Sequence, residues 1–223
     1  GTSCLLGLHT TLTAPFQPLT MHFKPLAGGA FPSLGAMLLS GAMRRLDTEI
    51  VQAEIAAQLR AFIDSVGRAP DYVDGHQHVQ LFPQVRDAFL DAVKAVAPKA
   101  WVRQCGRPKP SWQSGGNFKA AIKAGLLDTL SATFRRRCAA AGVDFNPAFA
   151  GAYDFSSAPD FGTAMVGFLD GLPDGGLVMC HPGFVDDTLR RLDPFTDQRE
   201  REHAYLAGDA FPCLLAQQGV ELA

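Results

Sequence analysis

The sequence has no closely spaced cysteine pair, no long apolar run and no extended block of like charge, and each absence narrows the field. Its five cysteines are Cys4, Cys105, Cys138, Cys180 and Cys213; the number is odd and no C-x-x-C occurs. Reduced thiols in a cytoplasmic protein are the simplest account, which sets aside a disulfide-stapled module. No run of about 18 apolar residues is present, so no membrane span is expected. No charged n-region leads into an apolar h-region, so no signal peptide is expected. The formal net charge is -2, without a basic–aromatic stripe, which argues against nucleic acid as a partner. Missing too are a G-x-G-x-x-G after a strand, a Walker loop and a G-x-S-x-G elbow, so dinucleotide, P-loop and serine-hydrolase chemistries lack sequence support.

What is there suits one globular domain over residues 1–223. The chain is 47% hydrophobic and 19% charged. A chain of this size buries about 70% of its unfolded surface. Leu5 to Thr13 reads as a strand, and a Pro- and Gly-rich loop runs from Ala14 to about Ser33. Val51, Ile55, Leu59, Phe62 and Val66 fall on one helical face, with Asp47 as N-cap and Gly67 and Pro70 ending the helix. Tyr72 to His78 reads as a strand and Pro83 to Val96 as a helix. Ala100 to Arg103 is strand-like. Phe118, Ile122, Leu126, Leu130 and Phe134 mark a long helix. Arg135-Arg136-Arg137 continues it; a solvated face explains this run, with an anionic partner as the alternative. Phe161 to Leu172 is read as helix, Gly176 to His181 as a buried strand, Thr196 to Leu206 as a charged helix and Val220 to Leu222 as a last strand. The alternation predicts an α/β fold with a parallel sheet or barrel, whose chemistry collects at strand ends.

The polar residues of interest all lie at such ends. Asp74-Gly75-His76-Gln77-His78 is the sharpest cluster. In an extended segment Asp74, His76 and His78 point to one side. That set fits a divalent-metal site, or hydrogen-bonded structural histidines. His9 ends the first strand, as a structural residue or a ligand. His181 precedes Pro182 and Gly183, whose turn would hold it at a strand end as a general acid or base, or as a simple strand cap. Arg103 could orient a carboxylate or lie on the surface. The Arg199-Glu200-Arg201-Glu202 run reads as a salt-bridged helix face.

Three segments, Gly7-Leu8-His9 with Leu12-Thr13, Asp74-Gly75-His76-Gln77-His78-Val79 and Met179-Cys180-His181-Pro182-Gly183-Phe184, resemble in order and spacing the motifs of the YdjC-like carbohydrate deacetylases. The resemblance implies a (β/α) barrel-like fold related to polysaccharide deacetylases. It implies a C–N hydrolase of linear amides that removes acetyl groups from N-acetylated sugars, such as chitooligosaccharides or sugar-bearing lipids. It carries metal ligation to His9 and His76 and an acid role to His181, with Arg103, Asp74 and His78 as supporting candidates. Magnesium is the metal it implies; ligand softness alone would favour zinc. A homodimer is a further expectation from the family. One departure matters. The family opens with a strand ending in Asp-Asp-Phe-Gly, which supplies a metal ligand and the base, and this sequence has no such motif. Asp154-Phe155 is too late and follows Tyr153. The expectation is a domain missing its N-terminal segment; the rival is a non-catalytic sugar- or metal-binding relative.

Overall fold

The computed structural model describes residues 4–108, 118–153, 160–193 and 196–222. They pack as two compact units. The first comprises described residues within Gly1–Cys105 and Gln113–Asn146, the second those within Gly106–Trp112 and Pro147–Ala223. Asp154-Phe155 and the stretch 109–117 lie outside the described residues.

In the first unit a parallel three-stranded sheet runs in the order β1 (Gly7–Thr10), β2 (Tyr72–Gly75), β3 (Trp101–Val102). Parallel neighbours need crossover connections, and helices provide them. α1 (Leu34–Ala42) and α2 (Thr48–Val66) lie between β1 and β2, and α3 (Val85–Val96) lies between β2 and β3. Asp47 caps α2 as expected, its carboxylate accepting from the Glu49 and Ile50 N–H groups, and Gly67 ends the helix in the left-handed conformation. Val51, Ile55 and Leu59 are fully buried, and α2 packs chiefly on α3. Each such side chain contributes about 1.5–3 kcal/mol of transfer free energy. The face drifts outward at its end, where Val66 is exposed. α3 buries Val85, Ala88, Phe89, Leu90, Ala92 and Val93. α4 (Phe118–Ala141) follows β3. Its inward face is Ser131, Phe134 and Cys138, while Leu126, expected on that face, is exposed.

The second unit pairs β4 (Phe149–Ala150) with β5 (Leu177–Val178) in parallel. Around them lie α5 (Phe161–Leu169), α6 (Asp187–Leu192), α7 (Asp197–Ala207) and α8 (Ala210–Gln218). Phe161, Met165 and Leu214 form its buried core, edged by Tyr153, Phe168, Tyr205 and Phe211. α8 was not foreseen, and the expected last strand at Val220 to Leu222 is irregular. The apolar run Ala210-Phe211-Pro212-Cys213-Leu214-Leu215 carries no period that separates helix from strand. The α/β class holds. Among the described residues no helix is long and apolar enough to cross a membrane.

Candidate functional site

The register of the first sheet puts His9 opposite Asp74, 65 residues away in the chain. The His9 Nδ1 lies 2.5 Å from Asp74 Oδ1. A carboxylate only accepts, so Nδ1 carries a proton, and in the neutral imidazole Nε2 is then the nitrogen with the free lone pair. The other oxygen, Oδ2, is 3.1 Å from Arg103 Nε. Arg103 also donates from its NH2 group to the Gly75 carbonyl at 2.9 Å. Its side chain is only 4% exposed and that of Asp74 12%, against 48% for His9. A buried guanidinium thus holds a nearly buried carboxylate, which in turn orients an accessible imidazole. Burial pushes the Asp74 carboxyl up, but the His9 hydrogen bond and the charges of Arg103, His9 and His78 outweigh it and leave its pKa below the ordinary value.

His76 stands beside this chain. Its ring centroid is 5.5 Å from that of His9, edge to face, and the ring of Phe16 lies 5.5 Å away on another side. Phe16 comes from the loop after β1. That loop is tied down by Glu54 of α2, which is fully buried and accepts from the Leu19 and Thr20 N–H groups and the Thr20 hydroxyl.

The expected alternation of Asp74, His76 and His78 does not occur. β2 ends at Gly75, and His76–Leu81 turns into a tight helical segment in which Gln77 and His78 have φ of 53° and 61°. Gln80 folds back under Gly75, where an added Cβ would sit 2.6 Å from its Oε1; the same side chain donates to the Arg103 carbonyl at 3.0 Å. This tuck breaks the strand and turns His78 toward Cys105, whose sulfur is 3.3 Å from Nδ1. Burial drives the Cys105 thiol up to about 12, so it meets His78 as a neutral thiol.

Two imidazoles and a supporting carboxylate fit a divalent cation in part. The protonated Nδ1 of His9 on Asp74 leaves Nε2 as the donor, the arrangement that metal-ligating histidines commonly adopt. The 5.5 Å separation of the rings is close to the about 5 Å expected of two imidazoles sharing an ion at about 2.1 Å. Both Asp74 oxygens already have partners. Among the described residues no cluster of three or more His, Cys, Asp or Glu side chains is ready to hold a metal.

His181 belongs to the second unit. β5 stops at Val178, earlier than expected. The segment after it is anchored by main-chain N–H groups. Those of His181 and Val185 donate to Glu202 and Glu200 of α7, the latter at 3.3 Å, and that of Gly183 donates to the Arg199 carbonyl at 3.2 Å. Glu202 is fully buried and also accepts from the Tyr153 hydroxyl at 2.5 Å. Burial, then the Glu202 hydrogen bond and charge, raise the Tyr153 phenol above its ordinary pKa.

The family model for YdjC-like protein matches residues 2–217. The chain belongs to this family. Among curated proteins it is similar to the carbohydrate deacetylases of Homo sapiens, 37% identical over 93 residues, and Mus musculus, 36% identical over 93 residues. Those alignments cover 40% of this chain but only 29% and 30% of the relatives, so the matched stretch spans less than a third of either. A crystal structure of a candidate cellobiose-phosphate cleavage protein from Enterococcus faecalis superposes with a TM-score of 0.67 at 19% identity, covering 97% of this chain and 75% of that one. That likeness speaks to the fold.

Within this YdjC-like chain, sequence reasoning identified His9, Asp74, His76 and Arg103, which the first unit brings together, and His78, which it turns to Cys105. It missed Glu202. Of the expected salt-bridged face, Arg199 does pair with Asp193 at 2.6 Å, while Glu200 and Glu202 anchor the 181–185 segment. No sequence signal marked Glu202: only the structure shows it and Gln198, an i, i+4 pair, to be buried on α7.

Proposed function

We propose that this YdjC-like chain carries the site of a carbohydrate N-deacetylase, a metal-dependent hydrolase that removes acetyl from an N-acetylated amino sugar on a (β/α) barrel-like scaffold. The observation that carries the reading is the Arg103–Asp74–His9 chain, with the His76 ring beside that of His9. A neutral histidine locked by a carboxylate is a metal-binding device more than a structural cap. A cation such as Mg²⁺, or Zn²⁺ as the alternative, would supply Lewis acidity toward the acetyl carbonyl and toward water. His9 and His76 hold it; Asp74 fixes the tautomer and direction of His9; Arg103 keeps Asp74 ionised and in place. His78, fixed against Cys105, supports the turn that presents His76. Phe16 gives His76 an apolar wall and shapes the approach of a sugar. His181 serves as the acid that protonates the departing amine. The remaining ligand and the base belong to the family's Asp-Asp-Phe-Gly motif, which residues 1–223 do not contain; Asp186-Asp187 is followed by Thr188-Leu189. A homodimer and a cytoplasmic setting complete the reading.

Calorimetric titration with Mg²⁺ and Zn²⁺ tests the centre. His9→Ala and His76→Ala are expected to lose most of the affinity, and His22→Ala, on the exposed loop, to keep it. Equal affinity in all three would remove the centre. Acetate release from N-acetylglucosamine oligomers tests the reaction; metal and sugar binding without acetate release would instead identify a non-catalytic relative.

A further inference from the structure

A second feature of the first unit does not depend on the deacetylase reading. A cavity of about 340 Å³ lies where the end of α1, the start of α2, the start of α3 and α4 meet, and none of the candidate site residues lines it. Three arginines line it, Arg44, Arg86 and Arg137, together with one carboxylate, Asp87, and the Thr48 hydroxyl. Positive charge is therefore in excess. Arg137 and Asp87 form an open pair at 3.5 Å with both side chains about half exposed. The Arg86 Nε is buried and has no hydrogen-bond partner among the described residues. Burial works against the Arg86 charge, Asp87 supports it, and Arg137 and Arg136 oppose it, with a net downward shift in pKa. An anion in the cavity would relieve that opposition.

The wall is specifically built. Arg44 and Gln84 both take positive φ, 56° and 64°, a conformation that non-glycine residues adopt at a cost and that clusters at ligand clamps. The Gln84 amide is fixed at both ends, accepting from the Leu46 N–H at 3.0 Å and donating to the Leu46 carbonyl at 2.8 Å. It therefore gives α3 no side-chain cap. An added Cβ on Gly41 would lie 2.4 Å from the Pro83 carbonyl, so α1 is seated directly on the approach to α3. α3 begins at this cavity with no side-chain cap, and the start of a helix favours negative charge.

We propose that this cavity binds a phosphate group, either inorganic phosphate or the monoester of a sugar, gripped by Arg44, Arg86 and Arg137. Guanidinium forks match phosphate oxygens in pairs. The volume falls in the lower part of the about 300–1,000 Å³ range of small-ligand sites, with room for more than the phosphate alone. This gives the tail of the Arg135-Arg136-Arg137 run the anionic ligand that a solvated face does not require.

The test is calorimetric titration of the protein with inorganic phosphate, glucose 6-phosphate and glucose at low ionic strength. Both phosphates should bind and glucose should not. Equal affinities would identify free phosphate as the source, and tighter glucose 6-phosphate the monoester. Arg86→Gln should weaken binding by about ten- to a hundredfold, the loss of a charged hydrogen bond. Arg44→Ala, on an exposed turn, should weaken it too and serves if Arg86→Gln fails to fold. Asp87→Asn should strengthen it by removing the competing carboxylate, and His9→Ala should leave it unchanged. Absence of binding by either phosphate would overturn the proposal. So would unchanged affinity in Arg86→Gln and Arg44→Ala, or loss of phosphate binding in His9→Ala.

Discussion

The two units each hold one histidine of interest on a carboxylate, but by opposite ends of the residue. In the first, Asp74 grips the His9 ring through Nδ1 and is itself backed by Arg103. In the second, Glu202 grips the main-chain N–H of His181 and is backed by the Tyr153 hydroxyl. The first arrangement fixes a tautomer and a donor direction. The second fixes where the backbone runs and leaves the imidazole's orientation to its other contacts. Ring fixation suits a metal ligand, which must present one nitrogen steadily. Backbone fixation suits a group that exchanges a proton, whose ring nitrogens must not both be committed.

The largest way to break this contrast is Asp74→Ala. It strands Arg103 as a buried cation, and removal of one partner of a buried pair costs about 3–5 kcal/mol. Chemical denaturation should show that loss, and metal affinity should fall with it. Arg103→Lys in the otherwise unchanged protein should also lose stability, because one ammonium cannot copy the geometry by which Nε meets Asp74 and NH2 meets the Gly75 carbonyl.

A pH series sharpens the same point. The folded Asp74 pKa lies below the unfolded value of about 3.9. Its stabilising contribution is therefore complete at neutral pH and is lost as the pH falls through the lowered folded value. The melting temperatures of the parent and Asp74→Asn should converge below about pH 4. A constant gap down to acid pH would show that Asp74 stabilises by shape rather than by charge.

Much of the first unit was legible in the residues, and the reasons are physical. Strongly periodic helices such as α2 and α3 announce themselves because one face must be buried. His9 and Asp74 were recognisable as types at strand ends. Their pairing was not, because register between strands 65 residues apart leaves no local trace. The break at Gly75 was hidden as well, since it depends on the Gln80 side chain folding back under Gly75, which the spacing of Asp74, His76 and His78 does not show. In the second unit Glu202 was misread because charged residues at helical spacing look alike whether they face water or hold a buried N–H. β5 was read too long because Cys180 prolongs its apolar run, and His181 follows, after the pairing with β4 has ended at the Met179 N–H, which donates to the Ala150 carbonyl at 3.0 Å.

Glu202→Gln is the next step down in effect. An amide keeps the shape but presents a donor where Tyr153 and His181 need an acceptor. The cost should be about 1–3 kcal/mol, the penalty of an unsatisfied buried group. Because the anchor acts on the backbone, metal affinity should remain at the parent value, unlike in Asp74→Ala. A parallel loss of metal would end the distinction drawn between the two carboxylates.

The smallest effect concerns the thiols. Burial raises Cys105, Cys138 and Cys180 to about 12, so at pH 8 about one in ten thousand is thiolate. Cys4 and Cys213 are exposed. Iodoacetamide at pH 8 should label Cys4 and Cys213 and spare the other three, as read by peptide mass. Labelling of Cys105 under native conditions would show that the turn around His78 opens.

The ion chain that crosses the sheet has a bearing on how the protein assembles. It takes one member from each of three parallel strands or their ends, and its links join residues 65 and 29 positions apart. No local segment can form it in advance, and each crossover must close before its link exists. The centre is thus a product of completed topology, and it forms late. A bound divalent ion would stabilise only chains that have finished both crossovers. Adding metal to a refolding mixture should accordingly slow unfolding far more than it speeds folding, the kinetic mark of contacts absent from the transition state.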